Sequence, residues 1–181
     1  MTKLGLRSRF WKFILRKTFK EKHLTIAEYR AQSANTAKFA SRPPQGMDIE
    51  HVTVADLPAA WIRPADADRT KVVLHLHGGG YVTGSIASHL MMCIPMTQTL
   101  KMNILLPEYR LAPEHPFPAA IDDVLKIYRW LLTQGHAAKD IIISGDSAGG
   151  GLCVAVVAAL RDQKEALPAA IICISPWADL T

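Results

Sequence analysis

The sequence predicts an α/β protein with a mostly parallel sheet flanked by helices, and three observations lead there. Short apolar runs alternate along the chain with segments of helical period, the arrangement of βαβ units. The runs at 72–76, 102–106, 141–144 and 170–174 are continuously apolar, as expected of strands covered on both faces. Two of these runs pass directly into glycine-rich turns, one through Gly78, Gly79 and Gly80 and the other over 145–151.

Residues 1–22 carry Arg9, Lys12, Arg16 and Lys20 at helical spacing, with Leu6, Phe10, Trp11, Phe13, Ile14 and Leu15 between them. The Ala-rich, Gly-free stretch 21–40 predicts further helix, broken by Pro43, Pro44 and Gly46. Two short β-type runs follow at 51–54 and 59–62, separated by Asp56 and Pro58, and a stronger one ends at Leu76. A helix is expected over 88–100, with a kink at Pro95, before the strand 102–106 and an irregular Pro-rich stretch, 107–118. Pro118 suits a helix first turn, where Asp122 and Asp123 meet the positive dipole end. Ile121, Val124, Leu125, Tyr128, Leu131 and Leu132 give that helix one apolar face. The next helix, after 145–151, places Leu152, Ala155, Val156 and Ala159 on one side. The strand 170–174 closes the pattern. A parallel strand so near the last residue is an exposed edge, so the sequence is expected to be incomplete.

A chain of 181 residues, 49% of them apolar and 20% charged, suffices for one core and excludes disordered, collagenous and disulfide-scaffold classes. No apolar run reaches the roughly 18 to 20 residues of a membrane-spanning helix. Cys93, Cys153 and Cys173 show no paired zinc-ligand spacing and leave one thiol over in any disulfide scheme, which favours a reducing compartment; a cytoplasmic protein is expected. The net charge of +5 is uneven: residues 1–22 hold eight basic side chains and one acid, leaving 13 basic and 15 acidic residues in a mildly acidic body. That body lacks the basic, aromatic-interleaved face of a nucleic-acid binder. The basic segment has no secretory cleavage site.

Gly145-Asp146-Ser147-Ala148-Gly149 fits Gly-x-Ser-x-Gly between a strand and an amphipathic helix, the context of a nucleophile elbow. Such a turn exposes the Ser147 hydroxyl, and the helix starting there directs its positive end and the Ala148 amide at an oxyanion forming beside it. A glycine-rich helix start with an N-capping serine is the competing reading. His77-Gly78-Gly79-Gly80-Tyr81 after its own strand weighs against that reading, because it supplies backbone amides for the second half of an oxyanion hole. Neither a Gly-Lys-Ser/Thr element nor a Gly-x-Gly-x-x-Gly helix start accompanies it, so phosphate binding has little support. Together the motifs point to acyl transfer through a serine.

These motifs, with Tyr109-Arg-Leu-Ala-Pro-Glu-His-Pro-Phe-Pro-Ala119 and Ser175-Pro-Trp-Ala-Asp-Leu-Thr181, resemble the α/β-hydrolases related to hormone-sensitive lipase, the bacterial family IV esterases, over about residues 47–181. The resemblance implies an α/β-hydrolase fold, with residues 1–45 as an N-terminal helical cap segment over the acyl pocket and 46–181 as the N-terminal portion of the catalytic domain. It implies Ser147 as nucleophile, amides of Gly78, Gly79 and Ala148 as the oxyanion hole, and short- to medium-chain acyl esters as substrates, with no metal or organic cofactor. Sequence does not decide which two of the three glycines donate.

The family orders its triad Ser, Asp or Glu, His. All seven histidines precede Ser147, and Asp162, Glu165 and Asp179 match no catalytic position. The acid and base are expected beyond residue 181, or on a second polypeptide carrying the remaining hydrolase half; a homodimer is the other partner left open. His77 is read as pinning the glycine loop, and His75 and His115 as structural. His89 is an early-helix residue, and His23, His51 and His136 have no motif context. Asp146 is read as an acid shaping the elbow, and Arg110 and Glu114 as structural charges. The segment 1–22 is read first as a cap element and second as a membrane-surface helix drawn to anionic lipid. The rival class is a catalytically inactive hydrolase-fold fragment or binding protein lacking a general base.

Overall fold

The computed structural model describes residues 5, 8, 10, 24–37 and 44–178. Helix expected over 1–22 therefore lies, apart from three positions, outside the described residues.

The first full helix, α1 (Ile26–Ala37), is capped reciprocally: Glu28 N–H donates to Thr25 Oγ1 at 3.3 Å, and Thr25 N–H to the Glu28 carboxylate at 2.7 Å. Strands β1 (Met47–Val54) and β2 (Leu57–Pro64) form a hairpin turned at Ala55 and Asp56, both with positive φ, the backbone a tight two-residue hairpin turn requires. Then come β3 (Asp68–Leu76), α2 (Ile86–Leu100), β4 (Met102–Pro107), α3 (Ala119–Thr133), a 3-10 turn (Ala138–Asp140), β5 (Ile141–Asp146), α4 (Ala148–Asp162) and β6 (Ala170–Ile174).

The sheet order is β1-β2-β4-β3-β5-β6. From β4 to β6 every pairing is parallel, while β2 pairs antiparallel with both β1 and β4. At the centre of the sheet both faces are covered. Val72, Leu74 and Leu76 of β3 point with Ile143 toward Leu125, Tyr128 and Leu131 of α3 and Leu152, Val156 and Leu160 of α4. Val73 points the other way, joining Ile104 and Leu106 under Ile86 and Cys93 of α2. Two-sided burial is why these strands read as unbroken apolar runs.

Helix α2 starts at Ile86, two residues before its expected start, because Ser85 caps it: Ser88 N–H donates to Ser85 Oγ and Ser85 N–H to Ser88 Oγ. Asp123, expected to serve the α3 dipole, turns inward at 1% exposure and receives the Arg110 guanidinium at 2.7 Å and the Arg110 N–H at 2.9 Å. Among the described residues β6 is the outermost strand on that side, with Ile171, Ile172 and Ile174 between 37% and 40% exposed. Among the described residues no helix is long and apolar enough to cross a membrane.

Candidate active site

Strand β5 delivers Gly145 and Asp146 to Ser147, whose φ of 51° and ψ of −119° put it outside the usual regions for a non-glycine residue. The strain is held from several sides. Ser147 N–H donates to Ile174 O at 2.9 Å, and Ser147 O accepts from Trp177 N–H at 2.8 Å and Gly151 N–H at 3.1 Å. The side chain is left exposed at the mouth of the turn, and α4 begins at the buried Ala148. The glycines of the motif permit this: a Cβ at Gly145 would sit 2.4 Å from Gly149 O, and one at Gly149 would sit 2.0 Å from Leu76 O. The helix thus rests directly on the backbone of β3.

The loop after β3 lies against the same turn. Gly79 and Gly80 have φ of 126° and 63°, and Val82 and Thr83 N–H groups close on Gly79 O at 3.1 and 3.0 Å. Gly78 behaves differently from its neighbours. Its N–H donates to Asp146 Oδ1 at 3.0 Å and lies 3.2 Å from His89 Nε2. A Cβ on Gly78 would meet Asp146 Oδ2 at 2.2 Å, so only glycine allows the loop this close to the elbow.

Three histidines surround that junction. His77 is fully buried, donates from Nδ1 to Gly78 O at 2.9 Å and stacks on Tyr109, with ring centroids 4.3 Å apart. Tyr109 OH in turn donates to His77 O at 2.5 Å. Burial pushes the His77 imidazole down to about 4, and among the described residues its Nε2 has no hydrogen-bond partner, so the ring is neutral and pins the loop. His75 shares a 2.7 Å hydrogen bond with Ser144 Oγ, while its Nε2 and that of His89 stand 3.6 and 3.5 Å from Asp146 Oδ1. Half-burial pushes the Asp146 carboxyl up, but the two imidazoles and the Gly78 N–H outweigh that and hold it well below the usual carboxylate range. Asp146 is therefore an anion that fastens the loop to the elbow, poorly suited to take a proton. Sequence had left His89 as an ordinary helix residue; its contact with Gly78 comes from the α2 start, which brings position 89 over the loop.

Among the described residues, no histidine hydrogen-bonds Ser147. His136 Nδ1 lies 3.3 Å from Thr70 O, and His115 is exposed in the Pro-rich loop. Arg110 pairs with Asp123, and Glu114 with Arg30 of α1. A cavity of about 480 Å³ opens beside the elbow, walled by Tyr81, Phe117, Ile121, Leu152, Ala155 and Trp177. Among the described residues no three His, Cys, Asp or Glu side chains cluster to hold a metal ion.

A strained serine between a strand and a helix, docked on a glycine loop that follows a neighbouring parallel strand, defines the α/β-hydrolase fold class. The chain belongs to the α/β-hydrolase fold family, whose profile matches residues 73–181. It is 47% identical over 129 residues to an acetyl-hydrolase of Streptomyces hygroscopicus, covering 71% of this chain and 43% of that protein. It is 36% identical over 163 residues to an ethyl acetate hydrolase of Pseudomonas putida, covering 84% of this chain and 51% of that protein. Among solved structures, an esterase of the bacterial hormone-sensitive lipase family superposes with a TM-score of 0.86 at 38% identity, over 99% of this chain and 60% of that one. The chain thus spans about half the length of the curated relatives it matches.

Proposed function

We propose that this chain carries the nucleophile and oxyanion half of a serine carboxylesterase, with Ser147 attacking the carbonyl carbon of a short- to medium-chain acyl ester. The observation carrying this reading is the exposed Ser147 on a strained elbow clamped, through Asp146 and Gly78, to the glycine loop. As the Ser147 Oγ–carbon bond forms, the hydroxyl proton passes to a histidine, and the carbonyl oxygen becomes an oxyanion facing backbone N–H groups. Of the expected donors, Gly79 and Ala148 remain suited to this task, with Gly80 beside them. Gly78 does not, because its N–H is engaged by Asp146. Collapse of the tetrahedral intermediate expels the alcohol with the proton from histidine, and water then cleaves the acyl-enzyme by the same steps.

The histidine and its carboxylate partner are proposed to lie outside residues 1–181, a reading supported by the absence of any Ser147 hydrogen bond from the described histidines and by the greater length of the relatives. Support for small acyl groups comes from relatives named as acetyl- and ethyl acetate hydrolases. The same lack of a local base favours, as the second reading, a non-catalytic hydrolase-fold binding protein. A fluorophosphonate probe and p-nitrophenyl acetate separate the two in the complete protein. Labelling that maps to Ser147, with ester turnover abolished by Ser147→Ala, supports the esterase; absence of both labelling and turnover rejects it.

A further inference from the structure

Helix α1 reaches the site through Arg30. Arg30 Nε donates to Val82 O at 2.7 Å, one terminal nitrogen donates to Ala112 O at 3.0 Å, and both terminal nitrogens grip the Glu114 carboxylate at 2.7 Å. One guanidinium therefore joins α1, the glycine loop and the Pro-rich loop. Val82 is a telling place for such a contact, because its own N–H closes the turn on Gly79 O. Tyr81, next to it, accepts the Ala112 N–H at 2.8 Å, so the two loops are also sewn to each other at the point Arg30 grips.

We propose that Arg30 is a positioning residue of the esterase, a latch by which α1 holds the turn from Gly79 to Val82 in its oxyanion-binding shape. The inference rests on the esterase reading above. Gly79 and Gly80 occupy backbone regions that glycine enters and leaves at little cost, so their amides keep one orientation only if neighbouring groups hold them. The loop is restrained on one side by Asp146 on Gly78, and on the other by Arg30 on Val82 together with the Ala112 N–H on Tyr81 O. The planar fork of arginine makes two carbonyl contacts and a bidentate carboxylate pair together, which the single ammonium of lysine does not reproduce. Glu114, whose carboxyl the Arg30 hydrogen bonds bring down to about 2, stays charged and keeps the fork oriented. An α1 docked through Arg30 and a formed oxyanion hole are on this view the same state.

The test compares Arg30→Met and Arg30→Lys in the complete protein with the unsubstituted enzyme. It reads kcat and KM for p-nitrophenyl butyrate, the inhibition constant of an aliphatic trifluoromethyl ketone, and the thermal midpoint. A ketone of this type adds Ser147 Oγ and presents an oxyanion, so it reports the hole directly. Loss of one oxyanion donor costs about 10² to 10³ in kcat, and a donor misplaced but present should cost about tenfold. Expected for Arg30→Met is a kcat about tenfold lower, KM within about threefold, and ketone affinity weakened in step with kcat, with Arg30→Lys intermediate. A folded Arg30→Met with unchanged kcat overturns the proposal. So does a loss confined to KM, or a lower kcat with ketone affinity retained. If Arg30→Met does not fold, Glu114→Gln decides, since it loosens the fork while leaving both carbonyl contacts: a parallel fall of kcat and ketone affinity supports the latch, and no change rejects it. An unsubstituted protein without esterase activity removes both readings, whereas an active one indifferent to Arg30 removes this one alone.

Discussion

Replacing Gly149 with alanine would place a methyl carbon 2.0 Å from Leu76 O and 2.7 Å from His77 O. Both neighbours are backbone atoms in or beside the buried second half of β3, so no flexible side chain can swing aside. Restoring a carbon–oxygen distance above 3.0 Å requires α4 to retreat from β3 by about 1 Å. Against that stands the intrinsic preference of a helix for alanine over glycine, about 1 kcal/mol in the opposite direction. Overpacking of a tight interior costs about 1–3 kcal/mol when side chains absorb it, and more when two backbones must part. The net expectation is a loss of about 2–3 kcal/mol, or about 5–10 °C in thermal midpoint for a chain of this size. Because α4 carries the Ala148 amide and β3 carries the glycine loop, a shift of about 1 Å should also slow the chemistry about hundredfold. Thermal unfolding by circular dichroism and the rate of fluorophosphonate labelling measure the two effects. A midpoint that stays or rises, with labelling unchanged, would refute the close-packing argument and show that helix propensity outweighs the clash.

Ser147→Ala should abolish labelling and lower ester turnover at least about a thousandfold while moving the thermal midpoint by no more than about 2 °C. The neutral His77 makes stability depend on pH. Its folded value of about 4 lies below the unfolded 6.5, so the unfolded chain binds the extra proton between them. Stability should therefore be complete above pH 6.5 and decline by about 3 kcal/mol as pH falls from 6.5 to 4, in urea titrations across that range. His77→Asn should flatten this slope, and an unaltered slope would assign the acid sensitivity to another group. Tyr109→Phe leaves the His77 carbonyl without its hydroxyl donor and should cost about 1–2 kcal/mol in urea unfolding, with slower labelling as the glycine loop loosens. A stability within about 0.3 kcal/mol of the parent would show that the hydroxyl contributes nothing there.

Sequence made the elbow and the glycine loop legible because glycines at 145 and 149 stand where backbone meets backbone, and Gly78 where the loop meets the Asp146 carboxylate, contacts that leave no room for a Cβ. The parallel strands were equally plain, since burial on both faces leaves a continuous apolar run. The antiparallel hairpin at the start of the sheet was harder to see: its turn uses Ala55 and Asp56 at positive φ, without the glycine that marks such turns. The expected start of α2 fell two residues late because Ser85 and Ser88 cap each other, and either reads alone as an N-cap. Arg30 gave no signal at all. Two of its acceptors are main-chain carbonyls 52 and 82 residues away, and a carbonyl leaves no mark on residue identity.

The acceptor for the Ser147 amide is Ile174 O, the last residue of β6, and Ser147 O accepts from Trp177 N–H. The nucleophile's backbone is thus stitched to the neighbouring strand and to the turn that leaves it, so its amide proton exchanges with deuterium only when β5 and β6 part. A ligand or protein surface that seats β6 more firmly would slow Ser147 exchange without touching the pocket, and one that peels the strand away would disarm the serine from behind.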